Sequence, residues 1–121
     1  MSPKNYLPIH RPGDTVTFNV TTAVTAGQVV QVGSTDMSVA PAAAKSTSVV
    51  GVAGHDAAIG DKLTVEVGKP IHELKASGAI ARGARVETAA AGAVRTITDG
   101  SVFGIALTTA ADGAAVRVLQ L

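Results

Sequence analysis

From residue 14 onward the chain alternates. In Asp14-Thr15-Val16-Thr17-Phe18-Asn19-Val20 the apolar side chains Val16, Phe18 and Val20 share one face, while Thr15, Thr17 and Asn19 share the other. That period of two belongs to a strand with one side against a core. Further short apolar segments follow at 28–32 (QVVQV), 48–53 (SVVGVA), 62–67 (KLTVEV), 84–88 (ARVET), 93–97 (AVRTI), 101–107 (SVFGIAL) and 114–120 (AVRVLQL). Gly27, Gly33, Gly60, Gly68, Gly83, Gly92, Gly100 and Gly113 stand between or beside them, where turns need positive φ. Short strands separated by turn signals predict an all-β fold, a small barrel or sandwich. Helix is expected only as a turn or two at 41–45 (PAAAK) and 75–81 (KASGAIA), the second weakened by Gly78.

Residues 1–12 break this pattern. Pro3, Pro8 and Pro12 each fix φ, remove a donor and push the preceding residue toward extended conformations. The segment is expected to be an extended arm carrying Tyr6, Leu7, Ile9, His10 and Arg11, ahead of a single β domain over 13–121. A frayed end is the usual fate of such a terminus. Tyr6, Leu7 and Ile9 are apolar for a tail held in water, so a docked arm is the competing expectation.

The chain also repeats itself. Set without a gap against Ser101–Gln120, the segment Ser48–Val67 gives the identities Ser48/Ser101, Val49/Val102, Gly51/Gly104, Ala53/Ala106, Ala57/Ala110, Ala58/Ala111, Gly60/Gly113 and Val65/Val118. Ala26-Gly27-Gln28-Val29-Val30 and Arg82-Gly83-Ala84-Arg85-Val86 then occupy the same place upstream, as do 14–20 and 70–74. The repeat units run about 14–68 and 70–121. Gly51 and Gly104 lie mid-strand, where glycine marks a bulge or a close backbone approach. Two units are too few for a solenoid, so the halves are expected to close on each other into one barrel or sandwich.

Composition narrows what such a fold can do. Of 121 residues, 22 are Ala and 17 Val, only 2% are aromatic, and 16% are charged, below the roughly 25% of an ordinary domain. Ten Lys+Arg against nine Asp+Glu leave a net charge of +1, so nothing marks a nucleic-acid or anionic-membrane partner. Zero Cys excludes a disulfide scaffold, a thiolate nucleophile and Cys-based zinc sites. No apolar run approaches the ~20 residues of a membrane helix. Residues 1–12 lack the apolar stretch of a signal peptide, so a cytosol-like place of assembly is expected.

Catalytic residues and cofactor or metal sites are expected to be absent. His72-Glu73 opens like a zinc-protease motif, but position 76 is Ala rather than the required His. His55-Asp56 occupies the loop whose repeat partner is Thr108-Thr109, and reads as a solvated loop pair. No two carboxylates have a spacing that forces them onto one site, and there is no nucleophile elbow, P-loop or dinucleotide fingerprint. Asn19-Val20-Thr21 matches a glycosylation sequon but reads most simply as strand. Arg82, Arg85, Arg95 and Arg117 read as solvated strand faces, or else as a patch for an acidic protein surface.

Taken in order, Pro12-Gly13-Asp14-Thr15-Val16-Thr17-Phe18, Val24–Val30, Val49–Ala53, Ile80–Val86, Phe103–Ala106 and Ala111–Val118 resemble the capsid cement, or head decoration, proteins of tailed bacteriophages. The resemblance spans nearly all of 12–121. It implies a compact β fold without catalytic residues. It further implies a structural virion protein, often a homotrimer, assembled in the host cytoplasm and bound to the outer capsid surface. There it would join neighbouring major capsid protein subunits, with no nucleic-acid or membrane partner. The arm is the least family-like stretch, and its capsid-contact role, through Tyr6, Leu7, Ile9, His10 and Arg11, is an inference of ours. Two other classes compete. A ligand- or glycan-binding β module needs exposed aromatics, and only Tyr6 is a free candidate. A swinging-arm carrier domain needs a lysine at a hairpin tip, and no lysine sits in that context.

Overall fold

The structure, a computed structural model, describes residues 15–121. Ten strands make up nearly all of its regular structure: β1 Thr15–Val20, β2 Val29–Val32, β3 Ser38–Pro41, β4 Val49–Ala53, β5 Lys62–Glu66, β6 Ile71–Lys75, β7 Arg85–Thr88, β8 Val94–Thr96, β9 Gly104–Ala106 and β10 Ala115–Gln120. A single 3-10 turn, Ala90–Gly92, lies between β7 and β8. The expected all-β architecture of two duplicated halves is therefore the observed one.

The halves do not merge into one barrel, however. The first closes a five-stranded barrel of its own in the order β1-β3-β2-β4-β5, with β5 returning to β1. The second forms a five-stranded sheet in the order β6-β10-β9-β7-β8. Read around the circle, that is the same order. In the first half β1 meets β3 in parallel at Asn19↔Ser38 and Val20↔Val39. In the second the matching seam is held by one parallel bridge, Ala76↔Val94. Closure of the first half removes sheet edges that would otherwise be open to pairing, and the single bridge of the second brings its two edge strands together without a full ladder.

The equivalence extends to single hydrogen bonds. The Gly27 N–H donates to Ala53 O at 2.9 Å, and the Gly83 N–H to Ala106 O at 2.8 Å. The lone antiparallel bridges Val24↔Ala57 and Ile80↔Ala110 correspond in the same way. Each half has its own apolar core. Val24, Val30, Val39 and Val65 are buried in the first, and their counterparts Ile80, Val86, Val94 and Val118 in the second. The two phenylalanines take complementary places. β1 carries half-buried Phe18 where β6 carries Leu74, and β9 is preceded by buried Phe103 where β4 carries Val50. Each barrel thus holds one large ring beside a smaller aliphatic partner, which keeps the filled volume similar at native density.

Two local expectations differ from the structure. No helix forms at 75–81: Lys75 ends β6, the Ser77 N–H donates to Val94 O at 2.7 Å, and Gly78 turns the chain at φ +82°. Tertiary pairing of this segment outweighs its alanines' weak helical propensity. At 41–45 the chain makes only a turn, with Lys45 at φ 55°. That segment follows β3, a strand that alternation does not announce, because Ser38-Val39-Ala40-Pro41 is short and ends on a proline.

Candidate interaction surface

The residues singled out as chemistry turn out to build the scaffold. The Thr64 N–H donates to His55 Nε2 at 3.2 Å, and the Ala26 N–H donates to Asp56 Oδ1 at 2.8 Å. In the second half the Arg117 N–H donates to Thr108 Oγ1 at 3.0 Å, and the Arg82 N–H to Thr109 Oγ1 at 3.2 Å. His-Asp and Thr-Thr are thus two chemical solutions to one loop problem, satisfying the same pair of backbone donors. Because Nε2 accepts, the ring proton sits on Nδ1, which donates to Asp56 O at 2.9 Å. His55→Thr is therefore expected to be neutral within roughly 0.5 kcal/mol. His55→Ala, which strands the Thr64 donor, should cost about 0.5–1.5 kcal/mol in chemical denaturation. If both variants unfold at one midpoint, this reading of the loop fails.

His72 and Glu73 are adjacent strand residues and point to opposite sides of the sheet. His72 is buried, its Nε2 2.9 Å from Gln120 Oε1 and its ring centroid 6.4 Å from that of Phe103. Glu73 is exposed, so the two cannot converge on one metal. Among the described residues no group of three His, Asp or Glu side chains is placed to hold an ion.

Arg82, Arg85 and Arg117 are exposed as expected, but Arg95 is half-buried and paired. Its partner Glu87, on β7, is fully buried, and nothing in the alternation announced it. Arg95 Nε donates to Glu87 Oε2 at 2.7 Å. The Gly100 and Thr98 N–H groups donate to Oε1 at 2.8 and 3.2 Å, and the Thr98 hydroxyl to Oε2 at 3.3 Å. Burial alone would raise the Glu87 pKa. The Arg95 guanidinium and the Gly100 and Thr98 amides outweigh it, and hold the carboxyl below its ordinary value of 4.5. A depressed folded-state value adds stability that is fully present above the unfolded pKa and lost as pH falls through the folded one. Wild-type melting temperature should therefore drop as the solution is acidified below the ordinary glutamate range. Glu87→Gln should start from a lower neutral-pH value and lose that part of the acid slope. An unchanged slope would assign the acid sensitivity to other carboxylates.

An open cleft of about 700 Å³ lies at the seam of the second half. Its walls come from 25–28, 73–77, 90–93 and 112–115. Two of its polar side chains are engaged: Gln28 Nε2 donates to Ala91 O at 3.0 Å, and Asp112 Oδ1 accepts from the Gly78 N–H at 2.8 Å. Glu73 and Lys75, alternate residues of β6, also line it.

The two halves meet along one extensive contact. Val29, Ala42 and Val52 of the first half are buried within the second half's core. The Gly92 N–H donates to Ala42 O at 3.0 Å, and the Lys45 N–H to Thr88 O at 2.9 Å. The Thr88 hydroxyl accepts from the Ser46 N–H and donates to Ala43 O, both at 2.8 Å. Lys45 and Asp99 add an exposed ion pair across the contact, which holds the Asp99 carboxyl below its usual range. The capsid-contact residues expected from the sequence, Tyr6, Leu7, Ile9, His10 and Arg11, lie outside the described residues. Sequence reasoning did not single out Val32, Met37, Ile59 and Ile71, which are 54, 51, 70 and 60% exposed.

A duplicated β scaffold, with His55 and Asp56 holding backbone donors and His72 buried between Gln120 and Phe103, is the arrangement these residues build. A family profile described as phage cement protein matches residues 10–120, and the chain belongs to that family. It is therefore a capsid-associated structural protein of phages. Among solved structures it is similar to the N base of the head fibre gp8.5 of bacteriophage phi29. The TM-score is 0.70 at 21% identity, over 88% of this chain and 92% of that one. No curated protein sequence matches it.

Proposed function

We propose that this protein decorates the outer surface of a tailed-phage capsid as a homotrimer assembled in the host cytoplasm. There it stabilises the shell by bridging neighbouring major capsid protein subunits. The observation that carries the reading is the family match over 10–120, which supports a cement role for the whole duplicated module. The fold suits such a role. A closed barrel and a strongly related five-stranded sheet packed through a shared core resist deformation, and Val29, Ala42 and Val52 in the second core support treating 13–121 as one domain. Display of several copies on one lattice multiplies a modest single-site affinity through effective concentration.

The arm supplies the capsid contact. In this reading residues 1–12, through Tyr6, Leu7, Ile9, His10 and Arg11, dock as an extended segment on the capsid protein. Ordering such a segment costs conformational entropy, and it gains reach to a second subunit in return. Deletion of residues 2–11 is expected to leave melting of the barrels unchanged while abolishing decoration of expanded heads, scored by co-sedimentation. Wild-type occupancy by the truncated chain would overturn the arm's role.

A further inference from the structure

One interface is already built into the chain, and it leaves two faces over. The first half contributes a β2–β4 face, where Val29, Val52 and Ala42 are 0, 4 and 1% exposed beneath the second half. The second half contributes Thr88 and the turn Ala90–Gly92, in which a Cβ at Gly92 would lie 2.7 Å from Gln28 Cβ and 2.8 Å from Val29 O. Because the halves share one topology, each carries a copy of both faces.

The second half's copy of the first face is identified by pairing. Arg85 opposes Ile105 as Val29 opposes Val52. The Ile97 N–H donates to Arg85 O at 2.9 Å, as the Ala42 N–H donates to Val29 O at 2.8 Å. Here, though, none of the described residues covers the strands: Arg85 is exposed, and Ile97 and Ile105 are half-exposed. The row continues from Ile105 through Leu119 to Ile71, itself 60% exposed.

The first half's copy of the second face is equally open. Val32 opposes Val39 as Thr88 opposes Val94. Two residues before each of those partners stand Met37 and Gly92, both left-handed, at φ 52° and 73°. Val32 and Met37 are 54 and 51% exposed. A half-exposed methionine held at positive φ on a turn tip packs into neither apolar core of the described residues.

We propose that these two faces meet between copies of this chain. The Arg85–Ile97–Ile105 face of one copy seats the Val32–Met37 turn of the next, repeating between chains the contact that exists within each. The occupant is a second copy because the turn known to seat on this kind of face is the chain's own. Charge agrees: exposed Asp36 beside Met37 comes to the face that carries exposed Arg85. The contact is heterologous, two different patches per chain, so it builds a ring where the rotation closes and a filament where it does not, never an isologous dimer; the trimer proposed above is the closed case. The inference rests on the self-association proposed above and names its surface.

The test uses the full chain, with Met37→Asp for the turn, Arg85→Glu for the face, and Val32→Asp should Met37→Asp fail to fold. Wild type should sediment as a closed oligomer larger than a dimer. Each variant should sediment as a monomer that still unfolds cooperatively. Mixing the Met37→Asp and Arg85→Glu chains leaves one intact face and one intact turn, so the mixture should form a 1:1 pair and nothing larger. Wild-type mass in either variant, a mixture that stays monomeric, or a wild-type chain that is monomeric throughout would overturn the proposal. Co-sedimentation of the variants with expanded heads is scored separately. Monomeric variants that still bind heads leave the capsid reading standing, and oligomeric protein that ignores heads removes that reading alone.

Discussion

Phe103→Ala should lower the unfolding free energy by about 3–5 kcal/mol, a large fraction of the ~5–15 kcal/mol that holds a domain together. Phe103 is 4% exposed and belongs to the second core. It is the only fully enclosed large ring among the described residues, because Phe18 is only half-buried. Its neighbours have little freedom to fill the space. The Val86, Val116 and Val118 side chains are β-branched and fully buried, and β-branched rotamers do not swing far. The lost volume therefore remains as a cavity. The Phe103 N–H still donates to Val86 O at 2.7 Å, so the strand stays in register and the loss isolates packing. Phe18→Ala should cost clearly less. Denaturant midpoints for the two variants measure the contrast, and an unmoved midpoint for Phe103→Ala would place the ring outside the core.

That contrast shows how far the sequence could be read. Alternation placed Val16, Phe18 and Val20 on one face of β1, and the structure agrees. It could not say that the β1 face would enclose Val20 more fully than Phe18, because burial depends on which strands close over it. The eight segments read as strands all contain strand, since strand periodicity is local. β3 was missed because four residues ending in Pro41 carry too little periodicity to register. The closure of each half on itself was also hidden: Thr15↔Glu66 and Ile71↔Leu119 join residues far apart in the chain, and short apolar segments do not encode partners. Glu87 is the clearest failure. Nothing in its place between Val86 and Thr88 marks it for burial, and the four donors from Arg95, Thr98 and Gly100 that satisfy its carboxylate come from further along the chain. At His55-Asp56 the sequence reading of a solvated loop pair meets exposed side chains that also accept from the Thr64 and Ala26 backbone N–H groups, a long-range role that residue type alone does not carry.

Gly51→Ala and Gly104→Ala should each cost about 3 kcal/mol or more, at the upper end of overpacking effects. Both glycines were legible as a matched mid-strand pair, and the structure supplies their reason. A Cβ on Gly51 would collide with the carbonyl oxygen of Glu66 in β5, and one on Gly104 with that of Leu119 in β10. Neither oxygen can yield alone, because each belongs to a strand hydrogen-bonded into a closed or nearly closed sheet. Val65 Cγ1 and Val118 Cγ1 crowd the same two positions at 3.0 and 2.6 Å. Small residues here are thus a condition of tight barrel closure, which gives the alanine- and glycine-rich composition its structural meaning. Gly60 and Gly113 are the controls, matched between the halves at φ +88° and +80°, and a Cβ on either would meet no atom within 4 Å. Alanine there meets only left-handed backbone strain, about 1–2 kcal/mol. The Gly51/Gly104 double variant should lose the sum of the two single effects, since the sites lie in different barrels and share no partner. Equal costs at all four glycines in urea unfolding would mean that backbone conformation, not close approach, selects them. A larger penalty at Gly51 and Gly104 ties the matched glycines of the repeat directly to how each half closes.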